Sequence, residues 1–257
     1  MSEILVRTEN GVCAIQINRP ARKNALTAAM YQTLADTLRA VDVDKTVRVV
    51  LLHGHPEIFT AGNDIEDFLH SPPLQEDAPV LQFLAAISTF SKPLVAAVSG
   101  PAVGVGTTLL LHCDLIYASE TAMFALPFVQ LGLCPEAAAS YLLPRLMGHQ
   151  RAAEKLFLGE SFGAEEAQEM GLVNRIVAHD GLLEVAARQA ARLAQMPTEA
   201  VKATKALLRH SQEKNILDAM QNEIARFQIL LRAPEAKEAF NAFLEKRKPD
   251  FTKLEAS

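Results

Sequence analysis

Cysteine is scarce, with only Cys13, Cys113 and Cys134 in 257 residues and no two of them in a CxxC pair. That spacing argues against a disulfide framework and against a thiolate zinc site, and it fits a reducing compartment. Positive charge is in short supply too. Lys plus Arg number 25 against 30 Asp plus Glu, for a net charge of −5, so no global positive field favours nucleic acid. A phosphate-bearing ligand must instead be held by a local cationic cluster. No stretch approaches the roughly 18 consecutive apolar residues of a membrane span. The start, Met1-Ser-Glu-Ile-Leu-Val-Arg7, lacks the charged and apolar regions of a secretory signal, and the end, Leu254-Glu-Ala-Ser257, matches no peroxisomal or retention address. The cytoplasm is the expected location. Internal repeats of solenoid length and low-complexity tracts are also missing.

What is present is a hydrophobic content of 49%, enough for a substantial core. The first part of the chain alternates short apolar runs with helical periodicity. Strands are expected at Val12 to Ile17, Val47 to His53, Pro93 to Val98, Asp114 to Ala118 and Leu172 to Val177. A helix is expected from Thr27 to Val41, with Met30, Leu34, Leu38 and Val41 on one face. This order is that of an α/β architecture. From about residue 180 the pattern becomes helical throughout, over Leu182 to Gln195, Thr198 to His210, Asn215 to Leu231 and Pro234 to Lys246. The expected organisation is a core over residues 1–180 and a helical oligomerisation region over 181–257. Between Ser71 and Pro79, three prolines and two acids in nine residues interrupt regular structure, giving a flexible insertion that could serve as a lid.

Two glycine-containing turns each follow an apolar strand: Phe59-Thr-Ala-Gly62-Asn63-Asp64 and Ser99-Gly-Pro-Ala-Val-Gly104-Val105-Gly106. Glycine there permits a tight turn or a close approach of backbone to ligand. The second turn runs into Thr107 to Cys113, expected to be helical, whose first amides lack internal partners and can stabilise an anion. A purely structural strand-to-helix turn fits the same residues. A dinucleotide fingerprint does not, because the third glycine position is Leu109. His53 and His55 lack a third metal ligand nearby and read as a surface pair. His112, four residues after Thr108, is either an auxiliary pocket donor or a satisfied core histidine. Cys134 has no histidine placed to activate it and reads as pocket wall. Asp64 reads as a turn residue bonding its own backbone. Glu136, after Pro135, can be an acid in the first turn of a helix running from Ala137 to Leu146, or a working carboxylate.

Several segments, in order and at matching intervals over nearly the whole chain, resemble the crotonase (enoyl-CoA hydratase/isomerase) superfamily. They are Asn18-Arg-Pro-Ala-Arg-Lys-Asn-Ala-Leu26, Phe59-Thr-Ala-Gly-Asn-Asp-Ile65, Lys92-Pro-Leu-Val-Ala-Ala-Val-Ser-Gly100, Cys113-Asp-Leu-Ile-Tyr-Ala118, Ala167-Gln-Glu-Met-Gly-Leu-Val173 and Phe243-Leu-Glu-Lys-Arg247. The resemblance implies an α/β spiral of ββα units with a C-terminal helical trimerisation region. It also implies self-association as a trimer or a dimer of trimers and an acyl-CoA substrate, with no metal, no separate cofactor, no nucleic acid and no membrane partner. Coenzyme A would enter as part of the substrate.

The resemblance also implies site residues. An oxyanion hole falls on the backbone N–H groups of Asn63 and Val105, within a substrate-binding set that includes Ala61, Gly62, Asp64, Ile65, Gly104, Thr108 and Phe128. The CoA nucleotide falls near Arg22 and Lys23, with Phe243 and Lys246 supplied by the last helix of a neighbouring subunit. The two glutamates of enoyl-CoA hydratases align with Thr108 and Phe128, neither of which exchanges protons near neutral pH. The segment Leu126 to Ser140 resembles the Δ3,Δ2-enoyl-CoA isomerase branch, where a single glutamate follows a proline, and Glu136 takes that place. Shifting the double bond from position 3 to 2 of an enoyl-CoA is the expected activity. Hydration, another thioester reaction of the same fold, and acyl-CoA binding without turnover are the alternatives.

Overall fold

The computed structural model describes residues 2–70, 72–75 and 77–253. The chain opens with an antiparallel hairpin of β1 (Ile4–Glu9) and β2 (Val12–Ile17). In β2, Cys13, Ile15 and Ile17 point inward at a period of two, whereas β1 buries only Ile4. A lone inward residue carries no periodicity, so the edge strand has no signature in the sequence. Helix α1 (Ala28–Val43) starts where the Thr27 hydroxyl accepts the Met30 N–H, and it turns Met30, Leu34, Leu38 and Val41 inward as their spacing predicts.

Strand β3 (Val49–His53) leads to the short α2 (Ile65–His70) and then to α3 (Pro79–Thr89). Pro79 sits at the start of α3, where its missing N–H costs nothing. The interrupted segment over 71–79 therefore ends by opening a helix, and its Ser71 and Glu76 lie outside the described residues. Next come β4 (Leu94–Val98), β5 (Pro101–Val103), α4 (Val105–Thr108), β6 (Leu115–Ser119) and β7 (Met123–Ala125). They are followed by α5 (Ala139–Met147), α6 (His149–Leu158), β8 (Phe162–Gly163), α7 (Ala164–Glu169) and β9 (Arg175–Val177).

A six-stranded sheet has the order β1-β2-β3-β4-β6-β9, parallel from β2 onward, and β5, β7 and β8 form a smaller three-stranded sheet. The central strands β3, β4 and β6 are buried on both faces, which is why they read as continuous apolar runs. In β3, Val50 and Leu52 face the main core with Leu34 and Phe83, and Val49 and Leu51 face the other way. On that second face lies α8 (Leu182–Ala194), whose Leu182, Ala186, Ala190 and Ala194 pack against Val49, Val95 and Tyr117. Small residues four apart let this helix lie close to the strands.

The chain then forms α9 (Thr198–His210), α10 (Glu213–Leu231) and α11 (Pro234–Leu244). Ile216, Met220, Phe227 and Leu231 of α10 belong to the main core, so packing is continuous across residues 180 and 181. The α/β spiral with C-terminal helices is the expected fold.

Three local expectations are corrected. Strand β9 begins at Arg175 rather than Leu172, because the N–H groups of Leu172 and Val173 both turn back to Ala167 O, at 2.9 and 3.2 Å. The segment after Gly106 is α-helical only through Thr108 and continues as a 3-10 turn over Leu109–His112. Helix α5 starts at Ala139, so Glu136 precedes the helix instead of lying in its first turn. Among the described residues, no helix is long and apolar enough to cross a membrane.

Candidate active site

Both glycine turns lie on the wall of one cleft of about 410 Å³. They are joined by main-chain hydrogen bonds: Phe59 and Thr60 N–H donate to Pro101 O at 3.2 and 3.0 Å, and Val103 N–H donates to Thr60 O at 3.0 Å. On the other side, Leu26 N–H donates to Gly62 O at 2.8 Å and Leu26 O accepts from Asp64 N–H at 2.9 Å. This pairing skips Asn63 N–H. Gly104 N–H donates to Ala125 O at 2.9 Å, and Val105 is the first residue of α4, where an N–H has no helical partner. Among the described residues the N–H groups of Asn63 and Val105 therefore donate to no acceptor, and both residues line the cleft.

Two glycines make this arrangement possible. Gly62 has φ +87°, and a Cβ there would lie 2.7 Å from Val103 O. A Cβ at Gly106 would meet Thr60 Cγ2 at 2.5 Å. Side chains at these positions would push the two turns apart. Main-chain zippering thus leaves both N–H groups free at the cleft wall, and an N–H donor does not depend on the side chain that Val105 carries.

Ala61, Gly62, Asp64, Ile65, Gly104 and Phe128 also line the cleft, as do Arg22 and Lys23. Arg22 is half exposed and already ion-paired, with Nη2 2.7 Å from Glu66 Oε2 and 3.7 Å from Asp64 Oδ2. Asp64 is no base. Burial raises its carboxyl, but the Arg19 guanidinium at 2.6 Å and the Asp67 N–H at 3.2 Å outweigh burial and hold it below the ordinary carboxylate value. The expected turn bond is therefore made, at the start of α2, and an ion pair is added to it.

Phe243 lines the cleft of its own chain. Phe240 of the same helix meets Phe68 edge-on at 6.1 Å, so α11 packs against the cleft of its own chain. Lys246 is exposed, just beyond α11, and does not line the cleft.

Glu136 is only 6% exposed, and among the described residues its buried Oε1 has no hydrogen-bond partner. Burial first, and the nearby Glu223 carboxylate second, push its pKa up to about 8, against a weaker opposing pull from the Thr108 hydroxyl. Such a carboxyl is a far stronger base when ionised than an exposed glutamate. Thr108 is fully buried beside it and is not part of the cleft wall. Tyr31 of α1 donates from its hydroxyl to Asn63 Oδ1, and burial, then the Glu136 charge, raise its own pKa. Tyr31 therefore links the acid's surroundings to the first turn.

The carboxyl faces a small apolar cavity shared with Phe68, Leu84, Ile224 and Phe227. Phe68 and Phe227, edge-to-face at 6.2 Å, line both this cavity and the main cleft and so separate them.

The backbone that carries Glu136 is strained. Ala137 and Ala138 have φ +59° and +57°, a left-handed conformation costing about 1 kcal/mol or more for each non-glycine residue. Ala137 O accepts from His112 Nε2 at 2.9 Å. Burial lowers the His112 pKa to about 4, so its ring is neutral and the nitrogen facing the carbonyl carries the proton. His112 is thus the satisfied core histidine of the two readings. Glu223 accepts from Ala138 N–H at 2.6 Å, Ser140 N–H at 2.8 Å and Ser140 Oγ at 2.5 Å. The thiol of Cys134 approaches Glu223 O at 3.7 Å, and burial raises its pKa to about 11, consistent with pocket wall. Among the described residues, no group of three or more His, Cys, Asp or Glu is placed to hold a metal ion.

Sequence reasoning missed Tyr31 and Glu223. Glu223 carries a legible signal, since it falls in the buried stripe Ile216, Met220, Phe227, Leu231 of α10, where an acid must be partnered.

A family model for enoyl-CoA hydratase/isomerase matches residues 7–254. The 2,3-dehydroadipyl-CoA hydratase of Escherichia coli (strain K12) is 36% identical over 254 residues, which are 98% of this chain and 99% of that protein. The enoyl-CoA delta isomerase 2 of Rattus norvegicus is 33% identical over 252 residues, covering 96% of this chain and 64% of that protein. The crystal structure of an enoyl-CoA hydratase/isomerase from Pseudoalteromonas atlantica T6c superimposes with a TM-score of 0.93 at 40% identity, over 97% of this chain and 100% of that one.

Proposed function

Because the chain belongs to the enoyl-CoA hydratase/isomerase family, we propose that it moves a double bond from position 3 to position 2 of an enoyl-CoA, with Glu136 carrying the proton. The observation that supports this most is the buried Glu136 carboxyl, with a pKa of about 8 and an Oε1 without a partner among the described residues, behind the cleft lined by the Asn63 and Val105 amides.

In this reading Glu136 takes a proton from C2 of the 3-enoyl thioester. The electron pair spreads into a dienolate whose thioester oxygen accepts from Asn63 and Val105 N–H. The same carboxyl then returns its proton to C4, leaving the double bond between C2 and C3. Amide donors aimed at such an oxygen are each worth about 3 kcal/mol of barrier. No water, metal or redox group takes part, and coenzyme A is part of the substrate. Arg22 and Lys23 face the cleft where phosphates can meet them, and Phe243 offers an aromatic face to the adenine end.

A hydratase reading draws on the hydratase names among the relatives. It needs a second carboxylate to divide the work on water. Thr108 and Phe128 supply none, and Glu223 is occupied on both oxygens by Ala138 and Ser140. Self-association as a trimer or a pair of trimers is also proposed, supported by the apolar Leu207 and Leu208 of α9, 75% and 73% exposed in the single chain. Sedimentation showing a monomer would dismiss it.

The enzymatic test offers purified protein a 3-enoyl-CoA and a trans-2-enoyl-CoA. Migration of the double bond without formation of 3-hydroxyacyl-CoA is expected, and Glu136→Gln should abolish it. Retained turnover in that variant would overturn the reading.

A further inference from the structure

The turn between Glu136 and α5 is fastened from a distance. Ala138 occupies the N-cap position of α5 with no side chain able to cap it, and the missing cap comes from α10. There Glu223, itself buried, takes three donors: the N–H of Ala138 and the N–H and hydroxyl of Ser140. His112 secures the same turn from the other side through Ala137 O. Between these two clamps, consecutive alanines are held in the left-handed region, and Glu136 is the residue just before them.

A neutral cap would suffice to satisfy these amides. A second carboxylate buried beside Glu136 is costly unless its charge has a use. Burial raises the Glu223 pKa above the ordinary value, but all three of its partners donate to its oxygens, which opposes burial and favours the ionised form.

We propose that Glu223 is a positioning residue for Glu136: from α10 it fixes the turn that aims the Glu136 carboxyl and sets a negative charge beside it. The proposal rests on Glu136 being the proton carrier. The other groups facing Glu136 cannot supply the same effect. Tyr31 from α1 keeps its proton, because burial raises its pKa. Thr108 from α4 acts in the opposite direction, through its hydroxyl. His112 is neutral, and Cys134 stays a thiol.

The test uses the full chain with Glu223→Gln, Glu223→Asp and Glu136→Gln, each first checked for folding by circular dichroism and thermal melting. Steady-state turnover of a 3-enoyl-CoA is followed against pH, and the Glu136 carboxyl is titrated in the free protein by 13C NMR, its resonance identified by its loss in Glu136→Gln. In the unsubstituted protein the acid limb of kcat/KM and the NMR midpoint should both lie near pH 8. With Glu223→Gln both should fall by about one pH unit, with kcat down about 10-fold and KM little changed. Glu223→Asp should keep the limb near pH 8, because the charge stays, and should lose kcat as the three contacts loosen.

A folded Glu223→Gln whose limb and midpoint do not move overturns the proposal, even if it melts earlier, since Glu223 would then be a cap only. If Glu223→Gln does not fold, the aspartate variant decides, and a wild-type kcat there overturns the proposal. Turnover surviving in Glu136→Gln would instead remove Glu136 as proton carrier, and the NMR midpoint would still report whether Glu223 acts on it.

Discussion

Replacing Glu136 by glutamine exchanges a buried acid for a neutral group of the same shape, and its effect on stability comes from a pKa of about 8 against the ordinary 4.5. The folded value is raised, so the carboxyl's contribution to stability is fully present below pH 4.5, where it is protonated in both folded and unfolded chains. Between pH 4.5 and 8 the unfolded chain releases the proton freely and the folded chain does not, so stability declines. Above 8 the loss is complete. One group releasing a proton in this way costs about 1.4 kcal/mol per pH unit, or about 5 kcal/mol across the whole window as an upper limit. Glutamine has no such window. The stability of Glu136→Gln relative to the unsubstituted protein should therefore rise by several kcal/mol between pH 5 and pH 9. Urea unfolding of both proteins at pH 5, 7 and 9, with ΔG extrapolated to water, measures it. Because every other carboxylate is common to the two proteins, a difference that stays constant over this range would refute the buried-acid reasoning.

Gly62→Ala should reduce kcat about 100-fold, the usual loss when an oxyanion donor is displaced, because the new Cβ would press on Val103 O from a backbone at φ +87°. The same variant should melt at a lower temperature, and unchanged turnover would show that the two turns tolerate separation. Phe227→Leu thins the partition between the cleft and the Glu136 cavity. It should raise kcat/KM for longer acyl chains relative to short ones by about 10-fold, a usual worth for a few methylenes of apolar pocket. A panel of 3-enoyl-CoA chain lengths reads the ratio, and an unaltered ratio would remove Phe227 from the acyl path.

The two glycine turns were legible because each is a local feature, a glycine-containing strand end whose amides are freed by short-range geometry. The helices of the last part were legible through their period. Helix α3 was obscured by the prolines before it, although Pro79 in fact begins it. The surroundings of Glu136 were not readable, because they are assembled from α1, α4 and α10, with Glu223 and Ser140 separated by 83 residues in sequence. No local pattern carries a contact at that range. The position of Phe243 on the wall of its own chain's cleft was not readable for a related reason: a motif names a residue, and only packing, here that of α11 on Phe68, places it.

The oxyanion site proposed at Asn63 and Val105 consists of main-chain amides, and that changes how mutation can reach it. Substituting Asn63 or Val105 by any residue other than proline removes a side chain and leaves the N–H donor in place, so only proline, which has no N–H, deletes a donor outright. Vulnerability is displaced onto Gly62 and Gly106, which touch no ligand atom in this role yet hold the turns together. In the proposed reaction, thioester activation would therefore survive most side-chain exchanges, while the acid that decides the fate of the enolate could be gained, lost or moved one side chain at a time.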